Sequence, residues 1–185
     1  MPTLAYALLG LLAKESNTAY QLSRRVRRPL GYFWTARYGQ IHPQLRELTE
    51  AGLLSCATAP GPGPHDKRVY SITDTGRATL AAWVVEPPHE ELSRDELLLK
   101  AYCCWMSDRA ATRDLLISQA RLHREMQAQY EQMRTDIERS HPGGRVPVSH
   151  RDFGSLATLR YGIGYRRHRA EWCEWLAAAL LSDPV

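Results

Sequence analysis

Gly39-Gln40-Ile41-His42-Pro43-Gln44-Leu45-Arg46-Glu47-Leu48-Thr49-Glu50-Ala51-Gly52-Leu53-Leu54 carries one apolar helical face and one stop signal. At 100° per residue, Ile41, Leu45 and Leu48 fall within about 60° of one another, leaving Gly39, His42, Pro43, Arg46 and Glu50 on the opposite face. Gly52 is a natural left-handed cap, so the spacing predicts a helix over 39–51. Downstream, Leu53-Leu54-Ser55 and Arg68-Val69-Tyr70-Ser71-Ile72 read as two short strands. Pro60-Gly61-Pro62-Gly63-Pro64 lies between them, too rich in Pro and Gly for helix or ladder. The unit is a hairpin with a long tip. Thr73 and Asp74 open a further helix to about Val85, which Pro87-Pro88 stops.

Upstream, Thr3 is placed to cap a helix over 4–14 with Leu4, Leu8, Leu11 and Leu12 as its stripe. Thr18 and Gln21 have capping-box spacing before a second helix over 19–28, with Ala19, Leu22 and Val26 inward and Arg24, Arg25, Arg27 and Arg28 largely outward. Three helices and then a two-stranded hairpin is the winged helix-turn-helix order. The second part reads as helical throughout. Ser93 and Glu96 have capping-box spacing ahead of Leu97-Leu98-Leu99 and a helix continuing to Tyr102 and Trp105. Over 108–139, Leu115, Leu122, Met126, Tyr130, Met133 and Ile137 recur at spacings of three, four and seven. Such a helix is roughly 45 Å long and calls for a partner chain. Pro142-Gly143-Gly144 ends it, and a last helix over 153–181 offers Leu156, Leu159, Ile163, Ala170, Cys173, Leu176 and Leu180 for packing. The expected architecture is mainly α: a winged helix of three or four helices plus a two-stranded hairpin over 1–86, and an all-helical dimerisation domain over 87–185.

The 185 residues are 44% hydrophobic and 24% charged, which excludes disorder and a disulfide-stapled mini-fold. The net charge of +4 is unevenly placed. Residues 1–85 hold ten Lys and Arg against five Asp and Glu, whereas 86–185 hold fourteen against fifteen, so the surplus lies on the winged helix and suggests a polyanion partner. Cys56, Cys103, Cys104 and Cys173 show no C-x-x-C and fit a reduced, cytosolic compartment. Leu4–Ala13 is apolar but far short of the roughly 20 residues that span a bilayer, and it reads as a buried helix rather than a signal.

The face at 39–46 offers donors where helix-turn-helix proteins approach the major groove: Gly39 allows close backbone approach to phosphate, and Gln40, His42 and Gln44 suit base edges. His65, Lys67 and Arg68 sit where a wing runs along the phosphate backbone. Tyr20 can place its hydroxyl on a phosphate or pack its ring against the third helix. The expected DNA-contacting set is Tyr20, Arg24, Arg28, Tyr38, Gly39, Gln40, His42, Pro43, Arg46, Lys67 and Arg68. Trp105, Trp172, Trp175 and Tyr102 concentrate aromatic area in the second part, for core packing or for stacking on a small aromatic molecule. Arg166-Arg167-His168-Arg169 reads as a solvated or ion-paired face.

The arrangement resembles the PadR family of bacterial transcriptional regulators. Three stretches carry the resemblance: Leu8-Leu9-Gly10-Leu11-Leu12 with Ala19-Tyr20-Gln21-Leu22; residues 39–48 with Gly52-Leu53; and Arg68-Val69-Tyr70-Ser71-Ile72-Thr73-Asp74-Thr75-Gly76. Leu97-Leu98-Leu99-Lys100 and the late Glu171-Trp172 and Trp175-Leu176 look like the family's longer, virulence-regulator-type carboxy-terminal domain. The chain departs from the common pattern with Ala19 before Tyr20 and with His42, in place of tyrosine, before Pro43. The resemblance implies a cytoplasmic dimeric repressor on a palindromic double-stranded DNA operator, with a small aromatic effector near Tyr102, Trp105, Trp172 and Trp175. The alternative is a winged-helix module that binds a protein.

For an enzyme, the sequence has no G-x-S-x-G, P-loop or H-E-x-x-H, and no cofactor is expected. No metal site is expected either, since His141, His150 and His168 look scattered and without adjacent ligand-type residues.

Overall fold

The computed structural model describes residues 1–27, 38–60, 66–88 and 95–182, in two compact units, Met1–His89 and Glu90–Val185. The expected tip residues 61–65, Arg28 and Ser93 lie outside the described residues. In the first unit the elements are α1 (Thr3–Lys14), β1 (Asn17–Thr18), α2 (Ala19–Arg27), α3 (Tyr38–Glu50), β2 (Leu54–Ala59), β3 (Lys67–Ile72) and α4 (Asp74–Val84).

The apolar faces read from the sequence converge on one core: Leu4, Leu8, Leu11 and Leu12 of α1, Leu22 and Val26 of α2, and Ile41, Leu45 and Leu48 of α3 are all buried. Tyr6 and Trp83 stack at 4.3 Å between ring centroids, fastening α1 to α4. Pro2, not Thr3, precedes α1, and no side chain caps it; Thr3 is already the first helical residue. The Thr18–Gln21 box forms in both directions: Thr18 N–H donates to Gln21 Oε1 at 2.8 Å and Gln21 N–H to Thr18 Oγ1 at 3.2 Å. Gly52, at φ 71°, ends α3. Its N–H donates to the Thr49 carbonyl and that of Leu53 to Leu48, a Schellman closure that aims Leu53 into the core.

The sheet has three strands, not the expected two. Its order is β1-β3-β2, antiparallel, with Asn17 opposite Tyr70 and Leu54 opposite Ile72. Two residues are too few for an alternation to show in sequence, and β1 exists because the buried Asn17, held by its side-chain N–H to the Glu15 carbonyl, lies along β3. Thr73 caps α4 by accepting from the Gly76 N–H.

The second unit is helical: α5 (Glu96–Tyr102), α6 (Arg109–Arg139) and α7 (Phe153–Ser182), with single 3₁₀ turns at Cys104–Met106 and Pro142–Gly144. Asp95 caps α5, accepting from the Leu97 and Leu98 N–H groups, and Glu96 is the first residue of that helix. The same carboxylate takes two hydrogen bonds from Arg169 of α7, at 2.5 and 3.2 Å. The α6 stripe that called for a partner chain is mostly not the face that α7 covers. Against α7, α6 buries Leu116, Ala120, His123 and Tyr130, while Leu115 and Leu122 stay exposed; Tyr130 alone belongs both to this buried set and to the expected stripe. On α7 the buried positions are Leu159, Gly162, Ile163, Ala170, Cys173 and Ala177, of which Gly162, Ala170, Cys173 and Ala177 are small and let the two helices approach. Among the described residues no helix is long and apolar enough to cross a membrane.

Candidate nucleic-acid interface

With Ile41, Leu45 and Leu48 turned into the core, α3 presents Gly39, Gln40, His42, Pro43, Arg46, Glu47 and Glu50 to solvent. Pro43 stands inside the helix and has no N–H to give the Gly39 carbonyl four residues earlier.

The hairpin completes a concave surface. In the β2/β3 register Thr58 faces Arg68 and Cys56 faces Tyr70, so Cys56, Arg68 and Tyr70 lie on one face of the ribbon. This face and α3 enclose an open depression of about 510 Å³ lined by His42, Pro43, Arg46, Thr49, Glu50, Cys56, Arg68 and Tyr70. Arg46 and Arg68 thus share one groove from two different elements. Arg46 Nε lies 3.9 Å from Glu50, with both side chains largely exposed. Exposed pairs at that distance are weak, so the guanidinium remains available to a phosphate. Lys67, one position from Arg68, is exposed on β3 opposite Ala59.

Of the other expected residues, Tyr20 is 63% exposed at the start of α2, which favours a free hydroxyl over packing against α3. Arg24 is exposed. Arg25 is half-buried and paired with Glu15, so it does not join Arg24 as an outward cation. Tyr38 is the first residue of α3. Gln44 is a correction: it is buried, and its amide donates to Glu47 Oε2 at 2.9 Å, which removes it from any base-reading face. Sequence reading missed Cys56 and Tyr70 as groove lining. Strand alternation through Arg68 would have placed Tyr70, but Cys56 required the register.

In the helical unit the four aromatics do not form one cluster. Trp172 packs against the buried Leu116, Ala120, Cys173 and Ala177, with the Arg169 guanidinium 5.7 Å from its ring. Trp175, one turn on, is 63% exposed, and Tyr102 and Trp105 are more so. Trp105 borders a depression of about 310 Å³ with Cys104, Ser107, Arg109, Ala179 and Leu180. Arg169 is committed to Asp95, and Arg166 donates to His123 Nδ1 at 3.1 Å, so these two of the run are internally engaged, while Arg167 and His168 are exposed.

Comparison with known proteins agrees with this geometry. Residues 8–82 match the model of the transcriptional regulator PadR-like family, and residues 93–181 match that of the virulence activator alpha C-terminal domain. The negative transcriptional regulator PadR of Bacillus subtilis (strain 168) is 29% identical over 188 residues, spanning 99% of this chain and 100% of that protein. Its crystal structure in complex with operator DNA superposes with a TM-score of 0.86 at 28% identity, covering 97% of this chain and 98% of that one. The structure of the same protein with p-coumaric acid gives 0.78 at 27% identity over 97% and 99% of the two chains. With both segments matched in order and the likeness running along nearly the whole chain, this protein belongs to the PadR-like family of transcriptional regulators.

Proposed function

We propose that the chain is a sequence-specific DNA-binding repressor that acts as a homodimer in the cytoplasm. The single observation that carries this reading is the groove in which Arg46 and His42 of α3 meet Arg68 of the wing. It is a surface with two arginines on a concave face, and Bacillus subtilis PadR, of the same fold, has been crystallised with operator DNA. Residues 1–86 form the DNA-binding part. There Arg24, Arg28, Arg46, Lys67 and Arg68 neutralise phosphates, Tyr20 and Tyr38 flank them, and Gly39, Gln40, His42 and Pro43 enter the major groove. Residues 87–185 form the dimerisation part, and two-fold symmetry there sets two recognition helices about one turn of DNA apart on a palindromic site.

A small aromatic effector is the second element of the reading. Exposed Tyr102, Trp105 and Trp175, together with Trp172, supply stacking area, and the p-coumaric acid complex of Bacillus subtilis PadR supports a phenolic class of ligand. The relatives being transcriptional regulators supports a regulatory rather than an enzymatic role. The decisive experiment is a gel shift with footprinting on DNA upstream of the protein's own gene, alongside selection from random sequence. The expected result is a protected palindrome whose affinity falls steeply with salt. Absence of salt-sensitive, sequence-preferring binding in both would favour a protein-binding winged helix instead.

A further inference from the structure

Between α6 and α7 the chain turns through residues 140–152, and three side chains converge there. His141 Nε2 lies 3.2 Å from His150 Nδ1 and 3.8 Å from Asp152 Oδ2, while His150 Nδ1 lies 3.6 Å from that same oxygen. A triangle with these sides has its circumcentre about 2.1 Å from every corner, which is the length of a Zn–N or Zn–O bond. The two rings are nearly perpendicular, 84° apart, with centroids 4.6 Å from one another.

The hydrogen bonds assign the lone pairs. His141 Nδ1 lies 2.9 Å from the Ile137 carbonyl, which only accepts, so Nδ1 carries the proton and the neutral ring presents Nε2 as an acceptor. Such an Nδ1–H to backbone carbonyl bond is the usual means of orienting a ligating histidine. His150 Nδ1 accepts from the Asp152 backbone N–H at 3.2 Å, so it too is unprotonated, and an ion would take over the lone pair that this long bond now occupies. Two unprotonated ring nitrogens and a carboxylate oxygen thus lie 3.2–3.8 Å from one another, three donor atoms that one cation can bridge. A proton on one imidazole would bridge the two rings. It would not reach Asp152, since 3.6 and 3.8 Å exceed hydrogen-bond length, whereas one shared ion contacts all three atoms.

We propose that His141, His150 and Asp152 bind a divalent transition-metal ion, with zinc the preferred one, leaving a fourth position to solvent. Two imidazoles and one carboxylate suit zinc and its neighbours and disfavour calcium or magnesium, which take oxygen donors. His141 is mostly enclosed and His150 and Asp152 are partly open, so an ion has a route in from solvent. His141 follows the Ser140 cap of α6, and Asp152 directly precedes Phe153, the first residue of α7. The ion therefore ties the end of one long helix to the start of the next. Sequence spacing hid the site because the histidines are nine positions apart and only the return of the chain brings them together.

The test uses the full-length protein without an affinity tag, stripped with chelator and titrated with zinc chloride and, separately, cobalt chloride. One equivalent per chain is expected, with visible cobalt bands free of thiolate charge transfer, and a thermal midpoint that rises with zinc concentration. His150→Gln and Asp152→Asn should each weaken binding by more than about tenfold while leaving the metal-free midpoint and far-ultraviolet spectrum unchanged. Cys103→Ser with Cys104→Ser should bind as the parent does. The proposal is overturned by absence of saturable zinc binding, by unchanged affinity in both site variants, or by loss of binding in the cysteine variant.

Discussion

Gly76 has no room for a side chain. A Cβ there would sit 2.2 Å from the Leu53 carbonyl oxygen and 2.9 Å from Ile72 Cγ1, both part of the frame that joins α3 to the sheet. Gly76→Ala should destabilise the winged helix by about 1–3 kcal/mol, the usual cost of overpacking, seen as a lowered urea midpoint. An unchanged midpoint would mean that α4 shifts freely, which its Thr73 cap argues against. Arg46 belongs to the surface and not to the frame. Arg46→Ala should leave stability alone and lower affinity for the selected operator by about 1–3 kcal/mol in fluorescence anisotropy. An unaltered dissociation constant would remove it from the interface. Gln44, two positions away, shows how far a helical wheel resolves: its position borders the exposed face, but its amide is spent on Glu47.

At the level of elements, α5, α6 and α7 are pinned by polar contacts that no periodicity reports. His123 of α6 is buried against α7. Burial first, then the charges of Arg166 and Arg169, hold its pKa below the ordinary 6.5, against a weaker opposite pull from Asp95. The folded ring stays neutral while the unfolded chain takes up the proton. This contribution to stability is therefore complete above about pH 6.5 and is lost as pH falls toward the lower folded value. The thermal midpoint should drop as pH falls below about 6.5, and His123→Gln should flatten that drop in differential scanning calorimetry. Asp95 acts in a lower window. Burial alone would raise its pKa, but Arg169 and the Leu98 and Leu97 amides outweigh it and hold the carboxyl below the ordinary 3.8. Its stabilisation is present above that value and drains as the solution becomes more acidic, so Asp95→Asn should remove the part of acid unfolding that begins near pH 3.8.

At the scale of the whole molecule, the exposed apolar side chains of the helical unit are what a second copy would cover. Leu122 on α6 and Tyr161 and Trp175 on α7 are 46, 71 and 63% exposed. A chain carrying Leu122→Glu and Trp175→Glu should sediment as a monomer where the parent sediments as a dimer. Its binding should also lose about half of the salt dependence, because each winged helix releases its own counterions. A dimer that survived both changes would place the seam elsewhere.

Local chemistry by itself determined a good deal: the three apolar stripes of the winged helix, the Thr18–Gln21 box, the Gly52 stop and the basic bias of residues 1–85 all follow from neighbours within a few positions, so they could be read along the chain. Other features depend on residues far apart in sequence, whose meeting is set by packing. The sharing of one groove by Arg46 and Arg68, the third strand at Asn17, the burial of Leu116 in place of Leu115 and the convergence of His141 with His150 and Asp152 were decided only in the tertiary structure. A helical wheel shows that α6 has apolar positions on more than one side. Which of them α7 covers depends on the small residues Gly162, Ala170 and Ala177 that let the two helices close, and those carry no hydrophobic signal of their own.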